Sequence, residues 1–277
     1  MKDLVIYITL AVCLTATACG GRGKEAASEL EHARGLYERN EWLAAKNTID
    51  TIRARYPSET VTLREALVLM RRIEMKETER NIAYCDSLLP IRQAEAAIAV
   101  KGFVFEKDSA YEEKGAYVRP QQTVERNIER SYVRCGVNED GEMYIASVYF
   151  GSSPIRHTGI KVSLRDGIFV ETASIPYDVG LNYRFQDGSN TSEIIQYKGE
   201  HGADAIKFIC NNAHERLRVD YTGGAQYSLY MSEADKQSLV STYWLASILS
   251  DIHRLASERT KALKRKDYLE AKLTKSV

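Results

Sequence analysis

Three Asp-Gly pairs divide the middle of the chain into short segments in which apolar and polar residues alternate. The pairs are Asp140-Gly141, Asp166-Gly167 and Asp187-Gly188. An Asp-Gly pair between alternating segments is a strong signal of a β-hairpin, because glycine tolerates the positive φ that a tight turn requires. Residues 98–231 are therefore predicted to form an antiparallel β domain, either a sandwich or a curled sheet of about nine or ten strands.

Helical segments flank this β region on both sides. Apolar residues recur every three or four positions through residues 25–97, which predicts a helical hairpin followed by one long helix that Pro90 kinks or ends. Residues 232–277 predict a second long helix, with Ser232 as N-cap and Asp235 three positions later. Helices of matched length around an inserted domain are expected to pack as an antiparallel pair, as a coiled coil or an ordinary bundle. The predicted fold class is α+β, with a helical stalk and an inserted β domain.

The helical hairpin near the N-terminus resembles a single tetratricopeptide unit. The resemblance rests on the spacing of its packing positions, which are Leu36, Ala45, Ile49, Ile52 and Pro57. Glu29 and Ala33 stand where that repeat has its signature Trp and Gly. The match covers about a tenth of the chain, and one unit cannot bury its own apolar face. It implies helix-hairpin packing and at most a hint of peptide binding.

The start of the chain predicts an export signal. A charged residue, Lys2, precedes an apolar run that is shorter than the ~20 residues a membrane-spanning helix needs. The run ends in Ala16-Thr17-Ala18-Cys19, which resembles the lipobox of bacterial lipoproteins, with Ala16 where Leu is usual. The resemblance implies a signal peptide over residues 1–18 and a lipid on Cys19. An ordinary secretory signal, cleaved after Ala18 to release a soluble product, is the alternative.

A lipid on Cys19 has consequences for location and partners. The two or three acyl chains of a mature lipoprotein anchor it stably to a bilayer. Residues 19–24 would form a flexible tether, because three of them are glycines. The expected location is the cell envelope, on the outer membrane of a Gram-negative bacterium, with the lipid bilayer as one partner.

Composition narrows the class of the remaining partner. The 38 basic residues balance the 38 acidic ones, so nucleic acid is not an expected partner. Tyrosine is abundant, with 17 residues against 6 phenylalanines, which is typical of half-exposed strands and binding surfaces. These features favour a protein or glycan partner in the envelope.

Three cysteines remain after the lipidated one: Cys85, Cys135 and Cys210. Cys135 and Cys210 both fall in predicted strands, so they are the preferred pair for a disulfide in an oxidising envelope. Three free, buried cysteines are the simpler interpretation, because cysteine often serves as a small core residue.

Candidates for catalysis are weak. Cys210 and His214 are close in sequence, but a strand end and turn do not bring a thiol and a base together at that spacing. His157, His201 and His214 lack zinc-ligand spacing and would meet only in the fold. No metal or cofactor is expected. A glycosidase needs two carboxylates at the right separation, and the sequence does not select a pair. The acidic candidates are Glu112, Glu113, Asp140, Glu142, Asp178 and Asp187.

One segment carries a candidate modification. Asp108-Ser109-Ala110 matches an Asp-Ser/Thr-apolar triplet that resembles the O-glycosylation site of some Gram-negative envelope proteins. Two further matches, at Thr51 and Ser87, fall on predicted helices. Ser109 is therefore the candidate site, because it lies in a predicted loop.

These observations favour a membrane-anchored envelope lipoprotein that acts as a non-catalytic binding or scaffolding module. One alternative is an envelope hydrolase that acts on glycan or peptide through residues dispersed in the sequence. A second alternative is an architectural subunit of an envelope assembly.

Overall fold

The computed structural model describes residues 18–107, 114–177 and 180–275. Over these ranges the α-helices are α1 (Ala18–Glu38), α2 (Trp42–Arg55), α3 (Thr60–Ala99), α4 (Ala203–Asn211) and α5 (Glu233–Thr274). The first five strands are β1 (Val104–Glu106), β2 (Ala116–Val118), β3 (Tyr132–Asn138), β4 (Met143–Gly151) and β5 (Gly159–Ser163). The other strands are β6 (Phe169–Glu171), β7 (Asn182–Asp187), β8 (Asn190–Lys198), β9 (Arg218–Thr222) and β10 (Tyr227–Tyr230). The predicted α+β class is confirmed.

The chain forms two compact units, and the division falls inside the long helices α3 and α5. One unit takes in the chain up to Asp86 together with Ser257 onward, and the other comprises Ser87–Ala256. The expected boundaries, between residues 97 and 98 and between 231 and 232, differ from this division. The reason is that Ala96 of α3 and Leu239 of α5 are buried in the same hydrophobic clusters as the strands.

The first unit is helical. Helices α1, α2 and the first half of α3 share one hydrophobic cluster, which contains Leu30, Ala33, Leu36, Ala45, Ile49, Ile52, Ala66, Leu69 and Ile73. Ion pairs join the same helices at their surface, from Arg34 to Glu65 at 2.7 Å and from Lys46 to Glu77 at 2.8 Å. Ion pairs at or near the surface add little stability, so the apolar cluster holds the unit together.

One local prediction in the helical segments is wrong. Helix α1 begins at Ala18, so residues 19–24, expected as a flexible tether, are helical. Extending a helix costs less than nucleating one, and the buried residues Ala26 and Leu30 fix the turns that follow. Of the two effects predicted for Pro90, ending the helix does not occur, because α3 continues past it to Ala99, and a kink stays a prediction.

The second unit contains two antiparallel sheets. The six-stranded sheet has the order β1-β2-β3-β4-β8-β7, and the four-stranded sheet has the order β10-β9-β5-β6. All three Asp-Gly hairpins are confirmed, because β3 pairs with β4, β5 with β6, and β7 with β8. The glycine of each turn has positive φ, at 85° for Gly141, 91° for Gly167 and 58° for Gly188.

Alternate residues of both sheets share one core. The six-stranded sheet contributes Val133, Cys135, Ile145, Tyr149, Ile195 and Tyr197, and the four-stranded sheet contributes Ile160, Val162, Val219 and Tyr221. Helix α4 covers part of this core with Ala205, Ile206 and Ile209. Cys210 was predicted to lie in a strand, but it lies on α4, whose buried positions follow a helical spacing.

The other side of the six-stranded sheet is only partly covered. We call it the outer face; it carries Tyr144, Ala146, Val148 and Phe150 of β4 and Ser192, Ile194 and Gln196 of β8. Phe185 of the edge strand β7 is 53% exposed. Because successive side chains of a strand point to opposite faces, the outer face is separated from the core by the sheet itself.

Candidate functional site

A cleft of about 840 Å³ lies at one end of the six-stranded sheet, within the second unit. Its volume falls in the range of sites that bind small molecules. The segment before β2, the β3–β4 turn, the end of β8, and helices α4 and α5 all contribute to its walls. The lining includes Lys114, Asn138, Gly141, Glu142, Tyr144, Gln196, Lys198, Ile206, Lys207, Tyr243, Ser247 and Ser250.

Close packing of the β3–β4 turn against α5 fixes one wall of the cleft. A Cβ atom at Gly141 would lie 2.2 Å from the backbone nitrogen of Ser250, so no larger residue fits there without moving the turn or the helix. The side chain of Asn138 holds the turn, because its Oδ1 accepts the N–H groups of Asp140 at 3.0 Å and Glu142 at 2.9 Å. The backbone of this wall is therefore set before any ligand binds.

The charges that line the cleft are mainly positive. Three lysines, Lys114, Lys198 and Lys207, face a single lining carboxylate, Glu142. Lys207 Nζ is 3.9 Å from Asp204 Oδ1, and both side chains are more than half exposed, so this pair is weak. Within the described ranges, Lys198 has no carboxylate within ion-pair distance. The cleft can therefore attract an anion.

One of these lysines is already paired. Lys114 forms an ion pair with Asp140, whose Oδ1 also lies 3.3 Å from His253 Nδ1. The hydrogen bond from Lys114 lowers the pKa of the Asp140 carboxyl, so that carboxyl is ionised at neutral pH. An anionic ligand at Lys114 would compete with Asp140, which leaves Lys198 and Lys207 as the more available cations.

The rest of the lining suits a polar ligand. Tyr243 of α5 is 43% exposed, and Tyr144 of β4 is half-buried, so each ring offers an apolar surface and a hydroxyl group. Ser247 and Ser250 add hydroxyl groups from the exposed side of α5. Among the described residues the lining contains neither histidine nor cysteine.

A second polar cluster lies in the core of the same unit. The hydroxyl of Ser147 on β4 is 2.8 Å from Nε2 of His157, and Nδ1 of His157 is 2.8 Å from Oε2 of Glu193 on β8. This is the order of nucleophile, base and acid found in Ser-His-acid hydrolases. The structure thus brings together His157, a histidine singled out from the sequence, with a serine and a glutamate that sequence reasoning missed.

Glu193 is the centre of this cluster. Its carboxylate accepts the backbone N–H of Arg156 at 2.7 Å and that of His157 at 3.1 Å, in addition to the His157 ring. Arg156 has a φ of 56°, unusual for a residue other than glycine. Burial by itself raises the pKa of Glu193, but the hydrogen bonds from His157 and Arg156 outweigh it, and the pKa is lowered.

The cluster is closed to substrate. Ser147, His157, Glu193 and Tyr197 are all fully buried. The hydroxyl of Ser147 also hydrogen-bonds to Tyr197 Oη at 3.0 Å, and burial raises the pKa of Tyr197 to about 12. Ser147 points into the core, on the side of the sheet opposite the outer face. We therefore interpret the cluster as a structural network that links β4, β8 and the 152–158 loop.

The three cysteines that follow the predicted lipidation site are free thiols in the structure; they are Cys85, Cys135 and Cys210. Cys135 and Cys210 contact the same core. The disulfide between them stays a prediction. Burial raises the pKa of Cys135 to about 12 and that of Cys210 to about 11, which keeps both thiols protonated at neutral pH. His214 lies in the exposed turn after α4, next to Glu215.

The other predicted sites are dispersed. Asp140 and Glu142 lie at the cleft and Asp187 near the end of β7, while His201 is exposed in a 3-10 turn before α4. Ser109, Glu112, Glu113 and Asp178 lie outside the described residues. No group of three His, Cys, Asp or Glu side chains in the described ranges is arranged to hold a metal ion.

The predicted signal peptide lies almost entirely outside the described residues, and at Cys19 only the backbone is described. In the part of the chain that is described, no helix combines the length and the apolar character needed to cross a bilayer.

Comparison of the chain with protein-family models, with curated proteins and with solved structures found no match.

Proposed function

We propose that this protein is a membrane-anchored lipoprotein of the cell envelope that binds a ligand without catalysing a reaction, and that the cleft is its binding site. The observation that carries the proposal is the open cleft of about 840 Å³, with lysine and tyrosine side chains on a rigid frame. A concave site with a few placed polar groups is the common form of a ligand site. The anchor rests on the lipobox resemblance at Cys19.

The buried network argues for binding over hydrolysis. Ser147, His157 and Glu193 have the chemical types that a hydrolase needs, but each is fully buried. A nucleophile must come within hydrogen-bonding distance of both its base and the substrate. The cleft offers access without that pairing of groups, so its residues are suited to holding a ligand.

The binding function is tested by filling the cleft. Ser247 lies on the exposed side of α5 and lines the cleft, so Ser247→Trp should occupy the ligand's space while leaving the core intact. Gln237→Trp, on the exposed side of the same helix but outside the cleft, is the matched control. The protein is purified in detergent, and its thermal midpoint is measured with fractions of envelope extract. We expect a fraction that raises the midpoint of the wild type and of Gln237→Trp but not of Ser247→Trp.

Two outcomes would contradict the proposal. If every active fraction stabilises Ser247→Trp as strongly as the wild type, the cleft is not the binding site. If the wild type releases fragments from envelope glycan or peptide and Ser147→Ala does not, the protein is a hydrolase.

The anchor is tested separately with Cys19→Ser. We expect the wild type to incorporate a labelled fatty acid and to fractionate with membranes, and the variant to do neither. A variant that stays with the membranes after high-salt washing would show that the lipid on Cys19 is not the anchor.

A further inference from the structure

A second depression lies on the outer face of the six-stranded sheet and continues from the cleft. It has a volume of about 270 Å³, and its lining includes Tyr132, Arg134, Tyr144, Val148, Phe150, Phe185, Asn190, Ser192 and Gln196. Tyr144 and Gln196 line both the cleft and this depression. We call the continuous surface the track. Along β8 it extends from Lys198 to Asn190, which is about 26 Å at the rise of a β-strand.

We propose that the track binds a segment of an acidic polysaccharide, with a carboxylate or phosphate group of the sugar chain held by Lys198 and Lys207. The inference rests on the proposed function, since it names the ligand class of the same site. A track of this length matches a chain of several sugar rings better than a single small molecule.

Charge determines which end of the track holds the anionic group. At the cleft end, Lys198 is the last residue of β8 and Lys207 lies on α4. Within the described ranges their only contact with a carboxylate is the weak one between Lys207 and Asp204. In the middle of the track, Arg134 is only 16% exposed and is bonded to Glu106 at 2.5 Å. The depression is also lined by Arg130, which is ion-paired with Asp235, and by the carboxylates Glu129 and Asp187. The cationic groups that are available to a ligand therefore lie at the cleft end.

The position of the track on a sheet face disfavours a peptide. Strand β4 pairs with β3 and β8, and β8 pairs with β4 and β7, so their backbone groups are used within the sheet. A peptide that binds by strand addition needs a free sheet edge. A ligand on this face must be recognised through side chains alone.

The side chains of the track suit sugar rings. The rings of Tyr144 and Phe185 line the track together with amide and hydroxyl groups at Gln196 and Ser192, whereas the ring of Tyr132 is buried. An aromatic face can pack against the apolar face of a sugar ring, and the polar groups can donate and accept hydrogen bonds with its hydroxyls. Apolar side chains at Val124, Ile128 and Ile194 also line the depression, so a lipid is the competing occupant that the vesicle measurement below separates from a sugar chain.

The proposal is tested by calorimetry on the full-length protein in detergent with three probes of equal length. These are a tetramer of galacturonic acid, a phosphorylated maltotetraose and neutral maltotetraose. We expect the acidic probes to bind at least about tenfold more tightly than the neutral one, and their affinity to fall as salt is added. The acidic probe that binds more tightly identifies carboxylate or phosphate as the group at the lysines.

Variants assign that binding to the track. Lys198→Ala/Lys207→Ala should weaken the acidic probes at least about tenfold and leave the neutral probe unchanged, and Tyr144→Ala should weaken all three. Lys101→Ala/Lys264→Ala, at two exposed lysines outside the track, is the matched control and should bind as the wild type does.

Three outcomes would overturn the proposal. They are failure of both acidic probes to bind, binding that the Lys198/Lys207 double variant does not weaken, and lysine-dependent binding to phosphatidylglycerol vesicles in place of the oligosaccharides. If the acidic probes fail while an envelope fraction still stabilises the wild type but not Ser247→Trp, the binding function stands and only the ligand class is wrong. If both experiments fail, the proposed function fails with it.

Discussion

Two polar clusters in the same unit differ in almost every physical respect. Ser147, His157 and Glu193 are fully buried, and short hydrogen bonds link each to the next. Lys198 and Lys207 line an open cleft and have little or no pairing within the described ranges. The first cluster has the residue types of a hydrolase but no access for a substrate, whereas the second is accessible to a ligand. Accessibility, and not residue type, therefore decides which cluster is a candidate for function.

The same difference predicts opposite costs of mutation. A buried polar group that loses its partner cannot turn to water, so the free energy of desolvation is not recovered. An exposed lysine exchanges one set of water contacts for another. Stability measurements can therefore separate the two clusters without knowledge of the ligand.

The largest loss of stability is expected for Glu193→Ala. The change leaves the N–H groups of Arg156 and His157 and the His157 ring without their buried acceptor. We expect the free energy of unfolding, measured by urea denaturation, to fall by about 3–5 kcal/mol. Glu171→Ala, at an exposed glutamate on β6, is the control and should change it little. A loss at Glu193 no larger than at Glu171 would mean that the network does not hold the strands together.

A smaller loss is expected for Ser147→Ala. The hydroxyl that disappears is hydrogen-bonded to both His157 and Tyr197, so a fall of about 1–3 kcal/mol is expected in the same measurement. Ser163→Ala on β5 is the control. A fluorophosphonate reagent, which labels reactive serines, should not label Ser147 in the native protein. Rapid labelling with unchanged stability would identify Ser147 as an accessible nucleophile and break the comparison.

The lowered pKa of Glu193 predicts the pH dependence of the network. A carboxyl whose folded-state pKa is below its unfolded value stabilises the fold fully above the ordinary value of 4.5, and that stabilisation is lost as the pH falls through the lowered pKa. The stability difference between the wild type and Glu193→Gln should therefore be constant near neutral pH and shrink below about pH 4.5. Urea midpoints of both proteins across the acid range measure it. A stability difference between the two proteins that grows as the pH falls would contradict a lowered pKa at Glu193.

The sequence predicted most of the fold, because its signals were local. The Asp-Gly pairs and the three-to-four spacing of apolar residues depend only on near neighbours, so the hairpins and long helices were found. At the start of α5, Ser232 Oγ accepts the backbone N–H of Asp235 at 3.1 Å, as the capping pattern predicts. Helix α4 was missed because it is short and lies between strands, although Ala205, Ile206 and Ile209 carry a helical spacing.

The sites were harder to predict, because their residues are distant in the sequence. Glu193 carried a local signal, since it alternates in phase with the inward residues Ile195 and Tyr197 of β8. Nothing local pairs it with His157, because that contact depends on how a loop folds over the sheet. The cleft lysines likewise come from separate elements, so their proximity follows from the sheet order and the position of α4.

The smallest loss of stability is expected for Lys198→Ala/Lys207→Ala. This double variant is the sharpest test of the difference between the buried network and the cleft. Both side chains are exposed, and the one ion pair between them and a carboxylate in the described ranges is long and weak. Surface changes away from caps, cores and networks usually leave stability almost unchanged. We therefore expect the urea midpoint of this double variant to equal that of the wild type, while its affinity for acidic oligosaccharides falls at least about tenfold. A fall in stability as large as that of Ser147→Ala would show that the two lysines stabilise the fold. Side chains whose role is to bind a ligand are expected to contribute little to stability when no ligand is present.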